Sequence, residues 1–171
     1  MNLSRDAAGS TEIKLDHLYQ EVILDHNRSP RNFRALPDAT QYSHGVNPLC
    51  GDDYQLYLAI EPGGVIRDVG FQGSGCAISK SSASLMTTVI KGKPIAEVAR
   101  FKDQFLAFMT QDPPPKEAKS QIGRLSIFEG VREFPVRVKC ATLIWHALGD
   151  ALKDAGRGSP AANPPKISKL L

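Results

Sequence analysis

The stretch Tyr54-Gln55-Leu56-Tyr57-Leu58-Ala59-Ile60, Glu61-Pro62-Gly63-Gly64, Val65-Ile66-Arg67-Asp68-Val69-Gly70-Phe71 decides the fold. Two runs rich in aliphatic, β-branched and aromatic residues flank a polar loop bearing Pro and Gly, which is the pattern of an antiparallel hairpin. Leu49-Cys50-Gly51-Asp52 precedes the first run, and Gly73-Ser74-Gly75-Cys76 follows the second. Antiparallel pairing brings those two outer ends together. Two thiols and a carboxylate are therefore expected at one end of a small sheet. The third and last cysteine, Cys140, closes the alternating run Val136-Arg137-Val138-Lys139 and opens a helical pattern. It has to reach the same end by tertiary packing.

All three thiols then fall at element boundaries, where cysteines serving as small core hydrophobes are less often found. Three thiolates and one carboxylate complete a four-ligand set for zinc or for an iron–sulfur cluster. Cys76 at a helix start is expected to be favoured as thiolate by the backbone amides, and Cys140 likewise. With divalent zinc the set carries a net charge of about −2. Lys80, four residues after Cys76, together with Arg137 and Lys139, would offset it.

The rest of the chain frames this site. The first 11 residues read as a disordered lead-in and 156–171 as a disordered tail, leaving one domain over 12–155 with no internal repeat. Leu15, Leu18, Tyr19, Val22 and Ile23 recur at helical spacing, ending near Asp25 to Pro30. A short strand from Ala39 to His44 leads to the turn Gly45-Val46-Asn47-Pro48. After Cys76 one helix carries Ile78, Leu85, Met86, Val89 and Ile90, and a second runs from Ile95 to Met109. Pro113-Pro114-Pro115 marks a loop, and a last helix runs from Cys140 to about Ala155. The expected fold class is α+β: an antiparallel sheet of about three strands, covered on one face by several helices.

Composition bounds the function. Of the 171 residues 42% are hydrophobic and 23% charged, as in an ordinary globular domain. A net charge of +3 with no basic run argues against nucleic acid. Lacking a signal-peptide pattern or a long apolar run, the chain is expected to be cytoplasmic and to have no membrane partner. Three cysteines, an odd number with no Cys-x-x-Cys pair, favour metal or thiol chemistry over a disulfide framework.

Each choice has a plainer rival. Asp52 and Asp53 also suit turn or strand-edge roles, Asp53 more so. Lys80, Arg137 and Lys139 also suit a solvated face. His26 is expected to cap the first helix or face water. His44 is a rival fourth ligand, and His146, six residues beyond Cys140 on a helix, points away from the site.

Four motifs together carry a resemblance: Leu18 to His26, Asn47-Pro48-Leu49-Cys50-Gly51-Asp52, Gly73 to Ser79, and Val136 to Thr142. From about Leu15 to Ala155 the chain resembles the U-type iron–sulfur cluster assembly proteins, and within them the SufU branch. The scaffold branch, IscU, has histidine where Lys139 stands. The 63 residues between Cys76 and Cys140 also resemble the SufU branch in including an extra segment, around Asp112 to Arg132. The resemblance implies metal ligands at Cys50, Asp52, Cys76 and Cys140, and a zinc-dependent sulfur carrier. A SufS-like cysteine desulfurase passes persulfide sulfur to it, and scaffold or recipient proteins of cluster assembly take the sulfur onward. Cys50, beside Gly51, is the expected sulfur acceptor. The alternatives are a scaffold holding a transient iron–sulfur cluster on the same four residues, and a small domain with a purely structural zinc. A hydrolytic cysteine enzyme is less favoured, since no histidine is placed by sequence as its base.

Overall fold

The computed structural model describes the backbone of residues 4–156 and 167–169, and the side chains of 16–156. Element order is α1 (Ser4–Arg28), β1 (Gln41–Asn47), β2 (Asp52–Ile60), β3 (Ile66–Ser74), α2 (Ala77–Ile90), α3 (Ile95–Thr110) and α4 (Ala118–Ile122). A 3₁₀ segment (Gly123–Glu133), α5 (Pro135–Gly156) and β4 (Ile167–Lys169) follow. The sheet order is β3-β2-β1-β4. β2 pairs antiparallel with both β1 and β3, while β4 lies parallel to β1.

Strand alternation sorts β2 by face. Asp52, Tyr54, Leu56 and Leu58 are buried, whereas Asp53 and Gln55 are exposed. The buried face carries the helices. α2 and α5 lie over it, and Trp145 of α5 stacks on Phe105 of α3 at 4.7 Å between ring centroids. The indole N–H of Trp145 donates to Ser82 Oγ at 3.1 Å, so the largest buried side chain is also satisfied. The opposite face is open, with Tyr42 edge-on to Tyr57 at 5.5 Å. The expected α+β architecture, with its three-stranded antiparallel sheet covered on one side, is what the chain forms.

Several boundaries differ from expectation, each for a physical reason. α1 is described from Ser4, within the segment expected to be a disordered lead-in; Ala7 and Ala8 favour helix and no proline intervenes before Pro30. β1 continues to Asn47, because its last residues pair with Asp52 and Asp53 across a tighter turn. The alternating Val136-Arg137-Val138-Lys139 run is helical. Pro135 occupies the first helical position, where its fixed φ and missing N–H cost nothing, and β-propensity yields to the packing of Leu143 and Ile144 beyond it. Cys140 thus lies inside α5 and not at its start. Ile167–Lys169 adds a fourth strand from within the tail expected to be disordered; residues 157–166 and 170–171 lie outside the described residues. His26 neither caps α1 nor faces water: it is 2% exposed and its Nδ1 lies 2.7 Å from Ser84 Oγ of α2.

The segment around Asp112 to Arg132 packs as a cover. Leu125, Ile127, Phe128 and Val131 of its 3₁₀ part are buried, with Phe128 set edge-on to Phe105. It then delivers the chain through Phe134 into α5.

Candidate metal and thiol centre

Asp52 is the first residue of β2, paired in register with Asn47, the last of β1. Its side chain is wholly buried. Oδ1 accepts the backbone N–H of Cys76 and the hydroxyl of Ser79, each at 2.9 Å. Oδ2 is buried and has no hydrogen-bond partner. Such an atom is costly unless something positive meets it. One ligand atom each from Cys50, Asp52 and Cys140 lies within 4.8 Å of the others. Asp53, by contrast, turns to the open face and pairs with His44 Nε2 at 2.5 Å, which removes His44 as a rival ligand. His146 is exposed on α5, away from the cluster.

The three thiols stand in different surroundings. Cys50 is half-buried in the β1–β2 turn beside Gly51, whose φ of +70° is left-handed. Cys140 is buried in the second turn of α5. Burial pushes its thiol well above the ordinary range, and the neighbouring Cys50 and Asp52 side chains push further. The expected lowering of its pKa by a helix start is therefore overturned, because the residue sits past the first-turn amides. Cys76 is the N-cap of α2, its sulfur accepting the Ser79 N–H at 3.4 Å. In that rotamer it stands outside the group of three.

Of the expected cations, Arg137 is drawn to the thiols. Its guanidinium is held above its usual pKa by the charges of Cys76 and Cys140. Lys80 instead places Nζ over the Phe33 ring, 5.0 Å from its centroid, while Lys139 is half-buried beside Cys140.

Three participants escaped sequence reasoning. Asn47, wholly buried, directs Nδ2 at Cys140 Sγ from 3.9 Å. Ser79 binds Asp52, and Tyr54 Oη lies 3.2 Å from Ser79 Oγ. Burial pushes the Tyr54 phenol up to about 12, so it stays protonated. The available signals were positional: Ser79 falls three residues after an N-cap, and Asn47 three before Cys50. Thiols with one unpartnered buried carboxylate oxygen fit a soft, four-coordinate cation.

Fold and site together define a class of small α+β domains that collect thiols and a carboxylate from the ends of a hairpin and a late helix. Residues 18–141 match the family model described as the NifU-like N terminal domain, and the chain belongs to that family. It is 40% identical over 149 residues to the zinc-dependent sulfurtransferase SufU of Bacillus subtilis, covering 86% of this chain and 99% of that protein. It is 36% identical over 140 residues to the iron–sulfur cluster assembly scaffold protein IscU of Streptococcus pyogenes, covering 82% of this chain and 86% of that one. A crystal structure of SufU from Fervidobacterium islandicum, described as a scaffold for the SUF system, superposes with a TM-score of 0.71 at 32% identity. It covers 77% of this chain and 94% of that one. The NifU-like N-terminal protein of Brucella abortus shares the fold, with a TM-score of 0.74 at 22% identity over 84% of this chain and 98% of its own. Among the described residues no helix is long and apolar enough to cross a membrane.

Proposed function

We propose that this chain is an iron–sulfur cluster assembly protein of the sulfur-carrier kind, taking persulfide sulfur from a cysteine desulfurase in the cytoplasm and passing it to scaffold or recipient proteins. The observation that carries the reading is the buried, donorless Oδ2 of Asp52 grouped with the thiols of Cys50 and Cys140. Cys76 completes the set by turning its sulfur from the Ser79 N–H. This requires a rotamer change at the N-cap. When bound, zinc supplies the positive charge that keeps these thiols deprotonated at neutral pH. The similarity to a zinc-dependent sulfurtransferase supports zinc as the metal, as does Lys139 at the position where the scaffold branch has histidine.

Transfer itself is thiol exchange. The acceptor thiolate attacks the outer sulfur of the donor's persulfide, a new S–S bond forms, the old one breaks, and the donor cysteine leaves as thiolate. Arg137, exposed at the rim and facing two thiols, offsets the negative charge that meets there. Asn47 and Asp52 hold Cys140 and the Cys76 backbone in place while the flexible turn at Gly51 lets Cys50 move.

The test is metal analysis with a visible spectrum on protein purified without air, followed by mixing with a desulfurase and cysteine. Colourless protein with stoichiometric zinc that acquires sulfane sulfur is expected. Brown protein carrying iron and sulfide would instead assign the scaffold role, with the cluster as cargo.

A further inference from the structure

The two oxygens of Asp52 are treated unequally. Oδ1 has two donors, and Gly75 packs so tightly against them that a Cβ there would stand 2.5 Å from Oδ1, 2.6 Å from Ser79 Oγ and 2.8 Å from Tyr54 Oη. Nothing else has room to approach Oδ1 from that side. Oδ2 is buried without a donor. Ser79 Oγ has four neighbours: Oδ1 at 2.9 Å, the Cys76 carbonyl at 3.0 Å, Tyr54 Oη at 3.2 Å and, as a further donor, the Cys76 thiol at 3.6 Å. A hydroxyl has one proton to give. The carboxylate is the stronger acceptor, so the proton goes to Asp52, and Tyr54 donates in turn to Ser79. The backbone N–H of the same serine holds Cys76 Sγ at 3.4 Å. Ser79 thus holds Asp52 through its hydroxyl and, in this rotamer, Cys76 through its backbone, and Tyr54 fixes which way its hydroxyl points.

We propose that Ser79, oriented by Tyr54, is a positioning residue that restricts Asp52 to one-oxygen ligation by occupying Oδ1, and so keeps the metal four-coordinate. This rests on the reading of the cluster as a metal centre. Without the hydroxyl, Oδ1 retains only the Cys76 N–H and regains a free lone pair. The carboxylate then presents both oxygens, and five-coordination follows. Outer hydrogen bonds of this kind orient ligands and tune affinity.

The experiment uses the full chain with cobalt(II) in place of zinc, because the visible d–d absorption of cobalt separates four-coordinate from five-coordinate sites. Ser79→Ala is expected to give a weaker, shifted absorption and to lose roughly 10–100-fold in zinc affinity. Ser79→Thr, which keeps the hydroxyl, restores the parent spectrum. Tyr54→Phe keeps the ring in the core and shifts the spectrum in the same direction by less, so it carries the test should Ser79→Ala fold poorly. A parent-like cobalt spectrum in both Ser79→Ala and Tyr54→Phe, with or without a fall in affinity, overturns the proposal. Parent protein that takes up neither cobalt nor zinc overturns the metal-centre reading itself, a result distinct because it appears before any variant is compared.

Discussion

The backbone N–H of Cys76 donates to Asp52 Oδ1 at 2.9 Å, joining two residues 24 positions apart at the far ends of the β2–β3 hairpin. Hairpin register and site geometry are consequently one property. A slip of one residue would exchange Asp52 for Asp53 and send the carboxylate to the open face.

That dependence separates the two neighbouring aspartates. Asp52→Ala removes a buried carboxylate with two donors and is expected to weaken zinc binding by roughly 100-fold or more, at least the upper end of what losing an outer partner costs. Asp53→Ala removes an exposed group whose partner among the described residues is His44, and is expected to leave zinc affinity within a factor of about two, as surface changes usually do. Equal affinities in a competition titration against a chelator would contradict the assignment.

Gly75 offers a backbone test of the same geometry. A methyl group there meets Asp52 Oδ1, Ser79 Oγ and Tyr54 Oη at once. Gly75→Ala is expected to destabilise the fold by about 1–3 kcal/mol, the usual cost of forced overpacking, and to lower zinc affinity. Gly63→Ala, where an added Cβ meets nothing within 4 Å, serves as the control in the same denaturant titration.

The hairpin and the inward placement of Asp52 rather than Asp53 were legible because both follow from a period of two: once Tyr54, Leu56 and Leu58 face the core, Asp52 must as well. The cysteines were legible because thiols are scarce and chemically distinctive. Other features rest on long-range packing that leaves little local trace. Val136 and Val138 are good strand formers, yet among the described residues they pair with no strand and Pro135 starts a helix instead. Ser79 is one of four serines between residues 79 and 84, and nothing local marks it as the one beneath Asp52. His26 gives no sign that Ser84, 58 residues on, awaits it. The β4 pairing joins three residues to a strand more than a hundred positions earlier, beyond the reach of any local pattern.

Metal removal is expected to lower the melting temperature markedly. Cys50, Asp52 and Cys140 come from the β1–β2 turn, the start of β2 and the interior of α5, so a bound ion adds a tie between the hairpin end and α5 beyond packing and the long Asn47–Cys140 contact. Structural zinc supplies roughly 10–16 kcal/mol of apparent binding free energy in small domains, and even a fraction of that is large beside ordinary stability. Differential scanning calorimetry with and without chelator checks it. Coincident transitions would show that the group holds no ion of consequence.

His26 gives the fold a pH dependence of predictable sign. Burial lowers its pKa from 6.5, and the positive charge of Arg31 lowers it further. The unfolded chain therefore takes up a proton near pH 6.5 that the folded chain refuses until lower pH. Stability from this group is complete above about 6.5 and is lost as pH falls toward the depressed folded value. Melting temperatures measured from pH 8 to 5.5 are expected to fall at the acid end more steeply for the parent than for His26→Gln. Since Cys50, Asp52, Cys76 and Cys140 are the same in both proteins, the difference in slope isolates the histidine. Parallel curves would show that His26 protonates freely in the folded state.

The acceptor thiol is decided by mobility and access more than by intrinsic acidity. Cys140 is buried in α5, with Asn47 Nδ2 directed at its sulfur and its own sulfur 3.6 Å from the Val136 carbonyl. Cys76 is held at the start of α2 by Ser79. Cys50 alone lies in a turn, half-buried, between Leu49, which is 69% exposed, and Gly51 with its left-handed φ of +70°. That turn is the part of the site that moves at least cost. On the proposed sulfur-carrier reading, Cys50 is therefore the thiol that a desulfurase's persulfide is expected to meet first. Attack requires the thiolate, the outer sulfur and the leaving sulfur to line up, a geometry that the buried Cys140 reaches only by unpacking and that Cys76 reaches only by leaving the Ser79 N–H. After a single turnover with desulfurase and cysteine, peptide mass spectrometry is expected to find an added mass of about 32 Da, one sulfur atom, on the peptide containing Cys50. Cys50→Ser is expected to abolish that transfer while the protein stays folded. Consistent labelling of Cys140 instead, with Cys50→Ser accepting sulfur at the parent rate, would move the acceptor to α5 and leave the turn as a metal ligand only.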